Sequence, residues 1–390
     1  MVRHCAHGWA GRPAAAVAWP PLFRSGGPAF RGPPYDSAGM AHPSRPTIAV
    51  TMGDPLGVGP EVVVKALADP AMRSLGRFHI YGIQDAMLAA ADLLGIEPFW
   101  WRVAHDSPIA NTCGVHDAVV LDFPEFAGAC SAAPASPTKA GGEASFRFVD
   151  EAIASTRHPE GDPRRAAAIV TAPISKEAWA LAGHKRWAGH TELLASRLGA
   201  RRHAMMFVSP KLRVVLATVH IPLMAVGDAL TIGRVLDAIA LGAEECRAMG
   251  VETPRVAVCG LNPHAGERGL LGDEDERVIA PAIRLAREQG IEARGPLPGD
   301  TVFVAAARGN YDLVVAMYHD QGLIPVKLLG WEEAVNLTVG LPIPRTSPDH
   351  GTAFDIAGKG VADPRSMKAA LALAVRLAGS PAARVSAAGG

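Results

Sequence analysis

The sequence lacks a charge excess of either sign. Its 390 residues carry 38 Lys and Arg against 38 Asp and Glu. A protein that binds nucleic acid by neutralising phosphates shows a basic surplus, and none is present. No uninterrupted apolar run approaches the roughly 20 residues that span a bilayer. Cysteine is sparse and unpatterned: Cys5, Cys113, Cys130, Cys246 and Cys259 are odd in number, scattered, and form no CxxC pair. Neither a disulfide framework nor a cysteine zinc site is indicated. What is there is 49% hydrophobic and 19% charged, a globular composition with ample apolar surface for a core. The length suits one large domain or two ordinary ones. The broad class is a soluble α/β protein of a reducing compartment, acting on a small molecule.

The neutral average hides an uneven chain. Residues 1–46 hold Pro13, Pro20, Pro21, Pro28, Pro33, Pro34, Pro43 and Pro46, with Arg3, Arg12, Arg24, Arg31 and Arg45 and the single acid Asp36. Such a stretch buries too little surface to offset its chain entropy. Pro20 and Pro21 interrupt its only apolar patch, which argues against a secretory signal. Few acids would suit an organelle transit peptide, but Ser is sparse. The stretch reads as a disordered tail, or as a start assigned too early with Met40 the natural one. Removing residues 1–39 takes four bases and one acid away, so the remaining body is mildly acidic.

From Thr47 onward short β-branched runs alternate with longer amphipathic stretches. Strands are expected at Thr47–Met52, Phe78–Tyr81, Ala118–Leu121, Ala167–Thr171, Ala204–Val208, Arg213–Val219, Arg255–Cys259, Leu313–Met317 and Ala334–Val339. Helices are expected at Pro60–Leu67, Ala140–Ala154, Thr191–Leu198, Ile232–Met249, Asp273–Gln289 and Pro364–Ala378. This alternation argues for a largely parallel sheet with covering helices. Ligands of such sheets sit beyond the carboxyl ends of strands, so those positions deserve inspection.

The first strand runs into Gly53-Asp54-Pro55-Leu56-Gly57-Val58-Gly59-Pro60-Glu61. It is read either as an anion or cofactor site at a helix start or as a tight strand-to-helix turn. No Gly-Lys-Ser/Thr follows, so it is not a Walker loop. Its glycine spacing differs from the Rossmann fingerprint, so any nicotinamide site is of another kind. Three histidines stand at or just past expected strand ends: His220, His264 and His319. Three neutral imidazoles with open positions suit a catalytic divalent metal; singly, each would be structural or solvated. His158, His184 and His203 lie in polar stretches and read as solvated. His190 and Thr191 open a helix, either holding an anionic substrate group or with Thr191 as a plain cap. Lys327, Asn336 and Arg345 follow on segments suited to carboxylate or phosphate binding, or to a solvated surface. Asp300 either orients a ligand or caps the next helix.

These segments together resemble the 4-hydroxythreonine-4-phosphate dehydrogenase family. The resemblance rests on Thr51–Glu61, Thr171–Lys176, Gly189–Glu192, Thr218–Leu223, Gly260–Glu267, Gly295–Thr301, Met317–Gly322 and Gly340–Gly351, and covers about residue 47 to about residue 380. Asn-Pro-His-Ala-Gly-Glu combined with Met-Tyr-His-Asp-Gln-Gly is far more specific than any single motif. Leu56 departs from a smaller residue and Ser175 from Asn, and the tail 1–46 has no counterpart. The resemblance implies two α/β/α domains with a cleft between them, as in isocitrate and isopropylmalate dehydrogenases. The first domain would be 47–170 plus 346–390, and the second 171–345. It implies His220, His264 and His319 as ligands of one divalent metal (zinc, magnesium or cobalt). It implies His190, Thr191, Lys327, Asn336 and Arg345 as substrate contacts, Asp300 as an acid near the substrate, and NAD, or NADP, at the loop of Gly260, Asn262 and Gly266. A cytoplasmic homodimer with sites at the subunit interface is implied, without nucleic acid or membrane. The implied reaction oxidises a phosphorylated hydroxy-amino acid on the way to pyridoxal phosphate. Two alternatives stand beside it: a dehydrogenase of threonate or erythronate 4-phosphate, and a non-redox metallohydrolase in which the histidines activate water.

The reading of the tail has a direct test. Deleting residues 1–39 is expected to leave turnover and solubility unchanged; a large loss of either would make the tail part of the working protein.

Overall fold

The computed structural model describes residues 45–108, 115–129 and 135–380. The expectations for the tail up to residue 44, and for Cys5, Cys113 and Cys130, lie outside these residues. Cys246 and Cys259 are free, buried thiols. Among the described residues no helix is long and apolar enough to cross a membrane.

The chain opens with β1 (Thr47–Thr51), buried along its whole length, as a strand covered on both faces should be. There follow α1 (Gly59–Leu67), α2 (Pro70–Leu75), β2 (Arg77–Gly82), α3 (Gln84–Leu94), β3 (Trp101–Ala104), β4 (Ala118–Asp122), α4 (Lys139–Ser155) and β5 (Ala168–Thr171). The middle holds α5 (Lys176–Leu181), α6 (His190–Arg197), β6 (Ala204–Val208), β7 (Arg213–Leu216), α7 (Val226–Ala229), α8 (Ile232–Ala248), β8 (Val256–Cys259), α9 (Ala280–Glu288) and β9 (Ala293–Leu297). The last part is α10 (Gly299–Ala307), β10 (Leu313–Ala316), α11 (His319–Gly330), β11 (Val335–Val339), β12 (Arg345–Pro348) and α12 (Arg365–Ala378).

The twelve strands among the described residues join one sheet, in the order β3-β4-β2-β1-β5-β12-β11-β6-β7-β10-β8-β9. Pairing is parallel from β3 to β12 and again from β7 to β9. Between these blocks β11 is antiparallel to β12, β6 to β11 and β7 to β6. The sheet is therefore largely parallel, as expected, but the two parallel blocks point opposite ways. Helices cover both faces, with α4 against β1 and β2, α12 against β12 and β5, and α8 against β6, β7 and β10.

The structure departs from the sequence reading where pattern was weak. β12 is Arg-Thr-Ser-Pro, yet all four residues are buried; no hydrophobic alternation marks such a strand. α11 contains Pro325, which hides its helical period. β7 stops at Leu216, and both the amide and the hydroxyl of Thr218 turn to the Met317 carbonyl. The helix expected at Asp273–Gln289 is split. Asp275–Ile279 forms a wider π turn ahead of α9, which accommodates Pro281 and its missing N–H.

The glycine-rich turn after β1 proves to be packing. Every residue from Gly53 to Glu61 is buried. Gly53 has φ +77°, and a Cβ there would stand 2.3 Å from the Pro173 carbonyl oxygen. The Val58 amide donates to the Thr352 carbonyl, and Glu61 Oε1 accepts from the Gly358 amide at 2.6 Å. The start of α1 is thus closed by the protein's own groups, and the turn reading holds over the anion-site reading.

Asp54 sits fully buried in this turn. Its Oδ1 accepts from the Leu56 amide at 3.0 Å, while Oδ2 is buried without a partner. Burial raises its pKa from 3.8 to about 6 against the lowering effect of the Leu56 bond. A carboxyl whose folded pKa exceeds its unfolded value favours the fold while it keeps its proton. Stability therefore falls as pH rises from about 4 to about 6, by up to roughly 3 kcal/mol. Asp54→Asn is expected to remove that loss. Urea unfolding should find the variant close to wild type near about pH 4 and more stable near about pH 7.5; equal stability at both would contradict the assignment.

Candidate active site

Register builds one polar face at the centre of the sheet. Side chains alternate along a strand, and the pairings put Met205 and Phe207 of β6, Asn336 and Thr338 of β11, Arg345 and Ser347 of β12 and Thr171 of β5 on the same side. A cavity of about 230 Å³ opens over this face. It lies over the middle of the sheet, where the strand direction reverses, and not beyond a single edge of carboxyl ends.

Arg345 forms the floor. It is 2% exposed. Its guanidinium donates to Thr171 Oγ1 at 2.6 Å and Thr338 Oγ1 at 3.1 Å, while Nε is buried without a partner. No carboxylate lies within ion-pair distance of it among the described residues. Burial lowers its pKa to about 10, with Glu192 acting in the other direction, so it stays charged at neutral pH. A buried cation with spare donors and no counter-ion suits an anionic ligand.

The near wall is the first turn of α6. The helix begins at His190 after Gly189, with no side-chain cap, so the capping alternative for Thr191 falls. His190, Thr191 and Glu192 all line the cavity. His190 Nε2 is buried without a partner. Burial, then the charges of Arg345 and Lys176, hold its pKa well below the usual imidazole value, so the ring is neutral. Trp179 packs edge-on against it, with ring centroids 5.7 Å apart, and Phe146 packs edge-on against Trp179. His184 then stacks on Phe146 at 3.6 Å and bonds Glu143 at 2.7 Å. His184 is therefore a packed residue and not a solvated one, because an aromatic face lay next to it that its own segment did not reveal.

Two of the three singled-out histidines meet here. His220 and His319 line the cavity with ring centroids 5.6 Å apart. His319 opens α11, and its Nδ1 is bonded to Asp320 at 2.7 Å, which leaves Nε2 for the cavity. Partial burial, Lys176 and His319 lower the pKa of His220, with Glu192 opposing them. His264 does not line this cavity. It lies exposed on the loop after β8, where His264, Ala265, Glu267 and Arg268 all hold left-handed backbone with φ between +45° and +57°. Non-glycine residues rarely adopt that conformation, and runs of it cluster at functional sites. Among the described residues no three His, Cys, Asp or Glu are grouped closely enough to hold a metal ion.

The other expected residues divide. Asn336 lines the cavity with Oδ1 buried and unpartnered. Lys327 ion-pairs at 3.6 Å with Asp349, which lines the cavity, and lies 4.4 Å over the Trp331 ring. Asp300 is exposed in the first turn of α10, away from this cavity, and makes no cap. Gly260, Asn262 and Gly266 are also away from it. Asp275 accepts from the Leu261 and Asn262 amides and from Asn262 Nδ2, and holds their loop. Gln321 donates to the Gly260 carbonyl and accepts from the Met317 amide, tying two strand ends together. Sequence reading passed over Lys176, Glu192 and Asp349, which stand inside the quoted motifs but reach one cavity only through the packing of segments distant in the chain.

The described body matches known proteins. The family described as pyridoxal phosphate biosynthetic protein PdxA matches residues 77–374. A 4-hydroxythreonine-4-phosphate dehydrogenase of Geobacter metallireducens is 43% identical over 344 residues, 86% of this chain and 96% of that protein. A D-threonate 4-phosphate dehydrogenase of Cupriavidus necator is 46% identical over 337 residues, covering 85% and 97%. The crystal structure of a 4-hydroxythreonine-4-phosphate dehydrogenase from Klebsiella pneumoniae superposes with a TM-score of 0.73 at 41% identity, covering 86% of this chain and 98% of that one.

The buried guanidinium predicts opposite effects on binding and folding. Arg345→Met should weaken binding of inorganic phosphate, read by calorimetry, about ten- to hundredfold. The same change should leave unliganded stability equal or higher, because it removes a buried charge that lacks a counter-ion. Undiminished phosphate affinity would count against Arg345 as the anion anchor.

Proposed function

The chain belongs to the PdxA family, and on that premise we infer an NAD-dependent dehydrogenase that oxidises 4-phosphohydroxy-L-threonine in pyridoxal phosphate biosynthesis. The product is 2-amino-3-oxo-4-phosphooxybutanoate, which decarboxylates to 3-amino-2-oxopropyl phosphate. The observation that carries this reading is a buried Arg345 without a carboxylate partner on the floor of the cavity that also holds His220 and His319. One end of that cavity suits an anion and the other suits a hydroxyl to be oxidised. The metallohydrolase alternative loses its support with membership of a dehydrogenase family.

The chain's own groups have separable tasks in this reading. Arg345, Asn336 and the His190–Thr191 turn bind the phosphate. Neutral His190 contributes a hydrogen bond without a competing charge. Lys327 acts through Asp349, holding that carboxylate at the rim. His220 and His319 present ring nitrogens toward the carbinol, and Asp320 fixes the ring of His319. Their pairing fits two ligands of a divalent metal (zinc, magnesium or cobalt), with His264 of a second copy as the third. When bound, the metal polarises the hydroxyl and NAD, or NADP, takes up the electrons. Gly260, Asn262 and Gly266 remain the proposed cofactor loop, and Asp300 the nearby acid.

A homodimer is part of the proposal. Each segment carrying one of the three histidines also exposes large apolar side chains: Leu223 and Met224 after His220, Leu270 and Leu271 after His264, Ile324 and Leu328 after His319. Such a surface suits burial against a second copy. The proposed division into two α/β/α lobes, residues 47–170 with 346–390 and residues 171–345, is supported by the reversal of strand direction in the sheet. The free thiols Cys246 and Cys259 agree with a cytoplasmic setting.

A second reading is favoured by the 46% identity to the D-threonate 4-phosphate dehydrogenase. A panel assay of NADH formation separates the two. Phosphohydroxythreonine is expected to be the better substrate over threonate and erythronate 4-phosphates, with loss of turnover in chelator. His264→Ala is expected to abolish the metal-dependent rate while the dimer stays folded. Full rate with normal metal content in that variant would remove His264 from the site, and phosphate release without NADH would restore the hydrolase.

A further inference from the structure

A second cavity, of about 400 Å³, opens on the side of the sheet that α8 and α12 cover. Alternation along the strands separates it from the central cavity. Thr346, between Arg345 and Ser347, turns its hydroxyl to the Ala370 carbonyl of α12 at 2.8 Å. Val215, between Val214 and Leu216, packs against Gly242 of α8. The second cavity lies among the ends of α6, α8 and α12 and the turn from β11 to β12. Its walls are largely apolar, with Leu198, Leu241, Leu341, Ile343 and Leu377 among them. Its size falls in the roughly 300–1,000 Å³ range of small-ligand sites. None of the residues given a task in the proposed function lines it.

Glu245 is out of place in these walls. On α8 it stands four residues after Leu241 and three before Ala248, so the three share one stripe, and all three line the cavity. Glu245 is partly buried, and among the described residues its carboxyl group makes no hydrogen bond or ion pair. Nothing in the fold favours a carboxylate here. It lies in the last turn of α8, where the helix dipole opposes negative charge. Burial, then the neighbouring Glu244, raises its pKa from 4.5 to about 7. The cations nearby leave it unneutralised. Arg202 is paired with Asp237 at 3.0 Å, and Arg201 lies exposed at the rim. The turn Gly340–Pro344 brings no charge, and Arg376 of α12 does not line the cavity.

A carboxylate kept among apolar side chains is stabilised by a cation placed beside it. We propose that this cavity is a second ligand site, which takes a small organic ammonium ion with its apolar body against the leucines and its charge on Glu245. The site goes beyond the proposed function and does not depend on it. The ammonium pairs with the ionised carboxylate only. Affinity therefore rises with pH from about 6 to about 8, through the pKa of Glu245.

The probe is cyclohexylamine, which stays protonated over this range. Cyclohexanol and cyclohexanecarboxylate are uncharged and anionic controls on the same ring. Binding to the full-length protein is read by ligand-observed NMR, with inorganic phosphate present to fill the central cavity. The amine is expected to bind with a dissociation constant on the order of a millimolar near about pH 8. It should bind about tenfold tighter than either control, and about tenfold tighter than it does itself near about pH 6. Glu245→Gln is expected to remove both the preference for the amine and its pH dependence. Ala248→Trp, which fills the cavity and keeps the carboxyl group, is expected to abolish binding. Wild type that binds none of the three, or binds a control as well as the amine, overturns the site. So does amine binding that survives unchanged in either variant.

Discussion

A guanidinium buried in the middle of a sheet is the constraint around which the site is organised. Arg345 reaches Thr171 on one neighbouring strand and Thr338 on the other. It thereby joins β5, which belongs to the first parallel block, to β11, the first strand of reversed direction. Burying this charge without a counter-ion costs stability that two hydroxyl bonds only partly offset. Under the proposed function that cost serves preorganisation, since an anion at Nε would meet a donor already fixed and already stripped of water.

The reversal of strand direction explains why the cavity lies where it does. In a uniformly parallel sheet all the loops that carry chemistry gather along one edge. Here β11 and β6 stand between two blocks of opposite sense. Their side chains, and not only their ends, become the floor. The loops after β7 and β10 bring His220 and His319 to that floor, while the loop after β8 holds His264 out on the surface in strained backbone. Exposed apolar side chains accompany each histidine, which supports the proposed homodimer.

Charge at the site is arranged in layers. The deepest group, Arg345, is cationic and unpaired. His190, held neutral by burial, lines the wall, and Lys327 and Asp349 cancel one another at 3.6 Å. Burial also raises the pKa of Asp349, which Lys327 opposes. Lys176 and Glu192 also line the cavity and, among the described residues, make no ion pair. The body's mild acidity draws no anion in, so affinity for a phosphorylated substrate has to come from these local groups.

Much was legible in the sequence. The β-branched runs located nine of the twelve strands, because a strand covered on both faces must be apolar along its length. The motif residues His190, Thr191, His220, His319, Asn336 and Arg345 do line one cavity. The polar strand β12 was invisible, since Arg-Thr-Ser-Pro carries no apolar period and is buried only because two other strands flank it. Lys176 and Glu192 were visible as letters within motifs but not as lining one cavity, because that depends on how α5 and α6 pack. The sequence by itself determined which residue types were available: uncharged imidazoles, spare cations, and no Rossmann or Walker loop. Tertiary structure alone decided which of them share a face, which are stripped of water, and that His264 stands apart from its two fellows. The physical reason is that alternation along a strand is local, whereas register, burial and the spacing of charges exist only once the strands have paired.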